Sequence, residues 1–177
     1  MEWAEEFYSK QAAWSGIYTS DVSDYHRGKA SLLQALAGDS PKTVLELGAG
    51  GAQAAFATAE LGYHVTAIEL LPTSAAHAMT LSTRTRRGSL RVVQGDFYAV
   101  QADGPYDIVC YWDGFGIGPR RGPSAAVATH GALVESVGRG VIGHLFPLVL
   151  GEGCRPSNGI RHGDETVWIR PRGKSDD

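Results

Sequence analysis

The stretch VLELGAGGAQAAFATAELGYHVTAIEL, from Val44 to Leu70, constrains the fold more than any other part of the chain. A short apolar run of strand type enters a turn holding Gly48, Gly50 and Gly51. An alanine-rich segment of helical length follows, and a second strand-like run closes on Glu69. Strand, glycine turn, helix and strand make a βαβ unit, whose parallel strands are joined by a right-handed crossover.

The surrounding sequence repeats that alternation. Phe7 to Leu36 reads as one or two helices with a polar break near Thr19 to Asp24, ended by Gly38, Asp39, Ser40 and Pro41. Lys42 to Leu47 is the first strand, Gln53 to Leu61 a helix stopped by Gly62, and Tyr63 to Ile68 the second strand. Pro72 and Thr73 open a helix expected to run to about Arg87, Leu90 to Gln94 is the third strand, and Asp107 to Trp112 the fourth. The expected fold is α/β, a doubly wound, mostly parallel sheet whose C-terminal part is incomplete or irregular. The sequence divides into a helical N-terminal cap (1–41), an α/β half (42–118) and an atypical Gly/Arg/Pro-rich C-terminal segment (119–177).

Charge and composition remove several classes of function. A net charge of -3 gives no basic excess for nucleic acid or an acidic membrane, so neither is an expected partner. The apolar run VIGHLFPLVL is broken by Pro147 and falls far short of the roughly 20 residues that span a bilayer, and MEWAEEF has acids where a secretory signal carries cations. The chain is expected to be cytoplasmic. Cys110 and Cys154 form no CxxC pair, and the six histidines lie too far apart for two imidazoles to share a helix face, so no metal site is expected. Arg84, Arg86 and Arg87 are expected in the last turn of a helix, where cations complement its dipole, rather than as a patch for RNA.

In an open α/β sheet the ligand crevice lies at the carboxyl ends of the strands, beside the first strand's turn. Gly48, Gly50 and Gly51 would let backbone approach a ligand there, although a tight strand-to-helix turn also uses glycine for geometry alone. Gln53 stands where the dinucleotide fingerprint GxGxxG has its third glycine, which counts against NAD or FAD. Glu69 lies 19 residues after Gly50, close to the roughly 20 expected of an acid that accepts hydrogen bonds from ribose hydroxyls. It is otherwise an exposed strand-end acid. Asp96 follows the third strand and Asp113 the fourth. Acids gathered at one sheet edge repel one another unless donors or a cation sit among them, so the edge suits a donor-rich, cationic ligand.

Taken in order, VLELGAGGAQ, AIEL, QGDF and YDIVCYWDGFG resemble the motifs of class I S-adenosylmethionine-dependent methyltransferases over about Val44 to Gly116. The resemblance implies S-adenosylmethionine as cofactor, with Glu46, Leu47, Gly48, Ala49 and Gly50 forming the methionine-side cradle. Glu69 with Leu70 would hold the ribose, Asp96 the adenine amine, and Phe97 the ring. Tyr111 and Trp112 would line the place where the methyl group leaves. Asp113 would orient or deprotonate the acceptor, or else serve only donor or backbone. Ala52 stands where the family's loop commonly has another glycine. Trp14, Tyr18, Tyr25 and His26 of the cap are candidates for a small-molecule acceptor pocket, or for plain core packing. The alternatives are a non-catalytic Rossmann-like fragment and an NAD-dependent oxidoreductase.

After Gly118 neither helical nor strand period is visible, and Gly, Arg, Pro and Ser dominate. A short, loopy family variant is one explanation. A shifted reading frame is another: GHLFPLVLGEGCRPSNGIRHGDETVWIRPRGKSDD can be encoded so that the neighbouring frame reads through into a string resembling the later part of such a methyltransferase.

Overall fold

A computed structural model describes residues 2–84, 87–101, 103–112, 159–162 and 165–169. Asp113, the GFG that follows it, Arg86, Cys154 and most of the Gly/Arg/Pro-rich segment, where the frame question lies, fall outside the described residues.

Among the described residues, four helices and six strands are arranged as α1 (Glu2–Ser15), a 3₁₀ turn (Ile17–Thr19), α2 (Asp24–Ala37), β1 (Thr43–Leu47), α3 (Gln53–Glu60), β2 (His64–Glu69), α4 (Pro72–Ser82), β3 (Ser89–Gln94), β4 (Ile108–Tyr111), β5 (Gly159–His162) and β6 (Glu165–Ile169). The sheet order is β3-β2-β1-β4-β6-β5. Strands β1 to β4 are parallel, and the order grows outward from β1 in both directions, as the doubly wound expectation requires. Strand β6 joins β4 antiparallel, with Tyr111 opposite Thr166, and β5 pairs antiparallel with β6. The sequence showed no strand there: GIRH and ETVWI are too short and polar to carry a period against their glycine-rich surroundings.

Alternation along the strands sorts the core into two faces. Val44 of β1, Val65 and Ala67 of β2, and Ile108 and Cys110 of β4 pack with Leu33 of α2, Phe56 of α3 and Ala78 and Leu81 of α4. Leu45, Leu47, Ile68, Val109 and Tyr111 pack on the other face with Phe97 and Tyr106. Helix α3 has seven of its eight residues buried, four of them alanine. Small side chains let it sit close to the sheet while α2 covers it from outside. At the amino ends of β1 and β4, Asp107 Oδ2 accepts from the Thr43 backbone N–H (2.8 Å) and hydroxyl (2.9 Å), and the Asp107 N–H donates back to Thr43 O (3.0 Å). That clamp fixes the register of β1 on β4 at the edge away from the glycine turn.

Helix α4 stops earlier than the sequence suggested. Ser82 and Thr83 hydroxyls donate to the carbonyls of Met79 and Thr80 (2.7 and 2.8 Å), offering the chain a local alternative to another helical turn. Arg84 therefore lies beyond the helix instead of in its last turn. Its guanidinium stacks over the Phe56 ring (4.8 Å) and reaches Asp21 (3.8 Å).

Candidate functional site

The turn after β1 brings the sheet's carboxyl edge together. Gly48 and Gly50 have φ of 60° and 57°, and Ala52 shares the left-handed region with φ 59°. An alanine there costs about 1–2 kcal/mol of local strain, set against complete burial of its methyl group in the core. The Gly50 N–H donates to Glu69 Oε2 (2.7 Å) and the Leu71 N–H donates to Glu69 Oε1 (2.8 Å). Glu69 is thus fixed by two loops, 6% exposed, and each oxygen retains a lone pair for a further donor.

A cleft of ≈ 610 Å³ opens over this turn. Glu46, Gly48, Ala49, Gly50, Glu69, Leu70, Asp96, Phe97, Tyr111 and Trp112 line it from the sheet side, and Tyr18, Tyr25 and His26 from the cap. Two sequence candidates stand apart. Leu47 alternates to the opposite face and packs in the core with Leu45 and Ile68. Trp14 is 86% exposed on α1 and does not line the cleft.

The glycines serve the cap as well as any ligand. A Cβ on Gly50 would come within 2.7 Å of the Tyr18 ring, and one on Gly51 within 2.0 Å of the Tyr18 carbonyl. Gln53 locks this arrangement by donating its amide to Ile17 O and Ser20 O, both at 3.0 Å. The Tyr18 hydroxyl in turn donates to Gln11 Oε1 (3.0 Å). The position where the dinucleotide pattern needs a third glycine is therefore occupied by the residue that pins the N-terminal segment over the turn.

Electrostatics sharpen the deep end. Glu46, 2% exposed, has its carboxyl pushed up to about 8, first by burial and then by Glu69, while Lys29 and Trp112 favour its ionised form. Lys29 is itself buried, with its ammonium 4.5 Å from the centre of the Tyr25 ring and 5.5 Å from that of Trp112. Trp112 Nε1 and the Tyr111 hydroxyl are buried with no hydrogen-bond partner among the described residues, so Trp112 acts on Glu46 as a nearby dipole. Glu69 is raised by burial, an effect opposed by the backbone N–H groups that bind it. Burial and Glu69 together raise the Tyr8 phenol. Asp96 Oδ1 accepts from the Tyr98 N–H (2.9 Å), closing the turn that presents Phe97.

Sequence reasoning missed Tyr8, Gln11, Lys29 and Gln53, all of which line the cleft. Only Lys29 left a usable sign, as a lysine on the same helical stripe as Tyr25 and Leu33. Tyr8 and Gln11 reach the cleft through the docking of α1, which no local pattern encodes.

No family model and no curated protein matches the chain. Among solved structures it is similar to the glycopeptide N-methyltransferase MtfA complexed with sinefungin, at 24% identity and TM-score 0.49 over 66% of this chain and 46% of that one. It is also similar to the CcbJ methyltransferase from Streptomyces caelestis (24%, TM-score 0.43, 53% of this chain and 43% of that one). YjhP from E. coli matches at 18% identity and TM-score 0.48, over 67% of this chain and 46% of that one. The chain spans less than half the length of each.

Proposed function

We propose that this chain is an S-adenosylmethionine-dependent methyltransferase acting on a small-molecule acceptor. The observation that carries the reading is the placement of Glu46, Glu69 and Asp96, at or just beyond the carboxyl ends of three adjacent strands, on one cleft over the glycine turn. A pyrophosphate would meet three carboxylates there, with Lys29 the one lysine or arginine among the lining residues described. A ligand with hydroxyls, an amine and a sulfonium instead supplies donors and positive charge to each acid.

The residues present fit that donor. Glu69 has lone pairs for the ribose hydroxyls, Asp96 for the adenine amine, and Phe97 a ring to set against the base. Glu46 answers the ammonium, whose charge favours the ionised form that burial disfavours, and the Tyr111 hydroxyl and Trp112 Nε1–H, buried with no hydrogen-bond partner among the described residues, are donors in want of an acceptor. Bound there, S-adenosylmethionine supplies a methyl group already activated by its sulfonium. The protein's work is then to hold the acceptor in line and keep water out, for which the buried Trp112 and half-buried Tyr18 serve as apolar walls. Asp113, directly after Trp112, takes the role of orienting or deprotonating the acceptor.

Calorimetric titration with S-adenosylmethionine tests the reading, with NADH as control. The wild-type chain binds the sulfonium ligand and not NADH. Glu69→Ala weakens binding by at least ten-fold, since each charge-assisted hydrogen bond contributes about 1.5–3 kcal/mol. Tighter binding of NADH, or equal affinity in Glu69→Ala, refutes the proposal.

A further inference from the structure

Among the described residues, three buried side-chain polar atoms have no hydrogen-bond partner: Ser74 Oγ, the Tyr111 hydroxyl and Trp112 Nε1. Ser74 does not line the cleft, whereas Tyr111 and Trp112 do. The Trp112 indole has the Glu46 carboxyl beside it. The groups that act on Tyr111 through charge are instead the phenols of Tyr8 and Tyr98, and neither is bonded to its hydroxyl. At 5% exposed, Tyr111 is shut off from bulk solvent, and a buried donor left unpaired weakens whatever state holds it.

The alternation of β4 decides which part of the cleft this hydroxyl serves. Tyr111 turns to the face of the sheet that holds Leu47, Ile68 and Phe97, while Trp112 packs on the other with Val44. The Tyr111 ring meets Phe97 edge-on, with centroids 5.8 Å apart. A Cβ on Gly48 would come within 3.2 Å of Tyr111 Cε2 and 3.9 Å of Phe97 Cε1, so both rings close on one point of the glycine turn. Burial first, and then Tyr8 and Tyr98, push the phenol above its ordinary range, so the hydroxyl keeps its proton and can donate.

We propose that Tyr111 determines base specificity by donating its hydroxyl to a ring nitrogen of the bound adenine. The inference rests on the methyl-donor reading, which sets the base against Phe97 and its amine at Asp96. A carboxylate at Asp96 and a hydroxyl proton at Tyr111 then match the amine and a ring lone pair of the same base. Such a contact discriminates more sharply than an apolar wall, because a base lacking the nitrogen leaves the hydroxyl buried and unpaired.

The test removes one lone pair at a time. Calorimetry compares S-adenosylhomocysteine with its 1-deaza, 3-deaza and 7-deaza analogues, each of which replaces a ring nitrogen by C–H. One analogue is expected to bind the wild type about ten-fold more weakly than the parent ligand does, and Tyr111→Phe to bring the two within about two-fold of each other. The variant lacks only an oxygen without a partner, so it should unfold in urea at the wild-type concentration or a higher one. A less stable variant would show that the hydroxyl is bonded within the protein, and would overturn the assignment. So would equal binding of the parent and all three analogues, or losses that all persist in Tyr111→Phe. Failure of the wild type to bind S-adenosylhomocysteine refutes the methyl-donor reading and this inference with it, whereas binding without the nitrogen-dependent loss overturns this inference alone.

Discussion

Raising the pH should weaken the fold through one buried carboxyl. Glu46 is pushed from its ordinary 4.5 to about 8 in the folded chain, because burial removes its solvation and Lys29 only partly restores the ionised form. The folded state therefore holds this proton more tightly than the unfolded state. The stability it contributes is complete below the unfolded value and is lost as pH rises through about 8. One pKa unit is about 1.36 kcal/mol, so titrating this group alone removes about 2.5 kcal/mol between roughly pH 6 and pH 8.5. Glu46→Gln keeps the shape and cannot ionise. Urea unfolding of both proteins at the two pH values isolates the effect, since the fixed cost of the exchange, including any change at Lys29, cancels in the difference between pH values. The wild type should lose about 2.5 kcal/mol relative to the variant. Parallel stability profiles, or a wild type that gains on the variant as pH rises, would falsify the account of Glu46 as a buried acid held largely neutral.

Three further outcomes follow from the packing. Gln53→Ala removes the amide that holds Ile17 O and Ser20 O, costing about 1–2 kcal/mol. Because both acceptors lie in an exposed segment, the loss should appear as faster amide exchange confined to residues 16–20, and unchanged exchange there would show that the Tyr18 contact alone holds the cap. Asp107→Ala breaks the clamp to Thr43 and should lower global stability by about 2–3 kcal/mol. Donor affinity per folded molecule should stay as in the wild type, since the clamp sits at the opposite sheet edge, and a change in affinity would contradict that separation. Cys110 is buried with its thiol pushed well above the usual range, first by burial and then by Glu46. In a Cys154→Ser chain it should react with a thiol reagent only at the rate of unfolding, and prompt reaction of that chain in native buffer would refute its enclosure.

The strand and helix order from α2 to β4 was legible because each element is short, has one period and is closed by a local stop. Ile108–Tyr111 is a continuous apolar run and Val44–Leu47 is one broken only by Glu46, and Gly38 and Gly62 end what precedes them. The end of α4 was not, because Ser82 and Thr83 halt the helix through their own hydroxyls, a competition that periodicity does not register. Strands β5 and β6 escaped for a different reason: five or fewer residues of mixed polarity become strands only when an unpaired edge of β4 is there to accept their hydrogen bonds.

The candidate site divides along the same line. Glu69 and the glycine turn could be read from spacing alone, since a βαβ unit puts the end of its second strand beside the turn after its first, and the Gly50–Glu69 hydrogen bond is the physical form of that spacing. What the glycines accommodate could not be read, because the Tyr18 ring and carbonyl arrive from a segment more than thirty residues earlier. Lys29 and Glu46 were each visible as charged residues within apolar patterns, yet their effect on one another is a matter of distance and solvation. Local sequence determined which elements form and which acids stand at their ends, since both depend on near neighbours along the chain. Tertiary structure decided which of those groups lose water, which ring covers the turn and how Lys29 comes to face the cleft, because desolvation and electrostatics depend on separation in space.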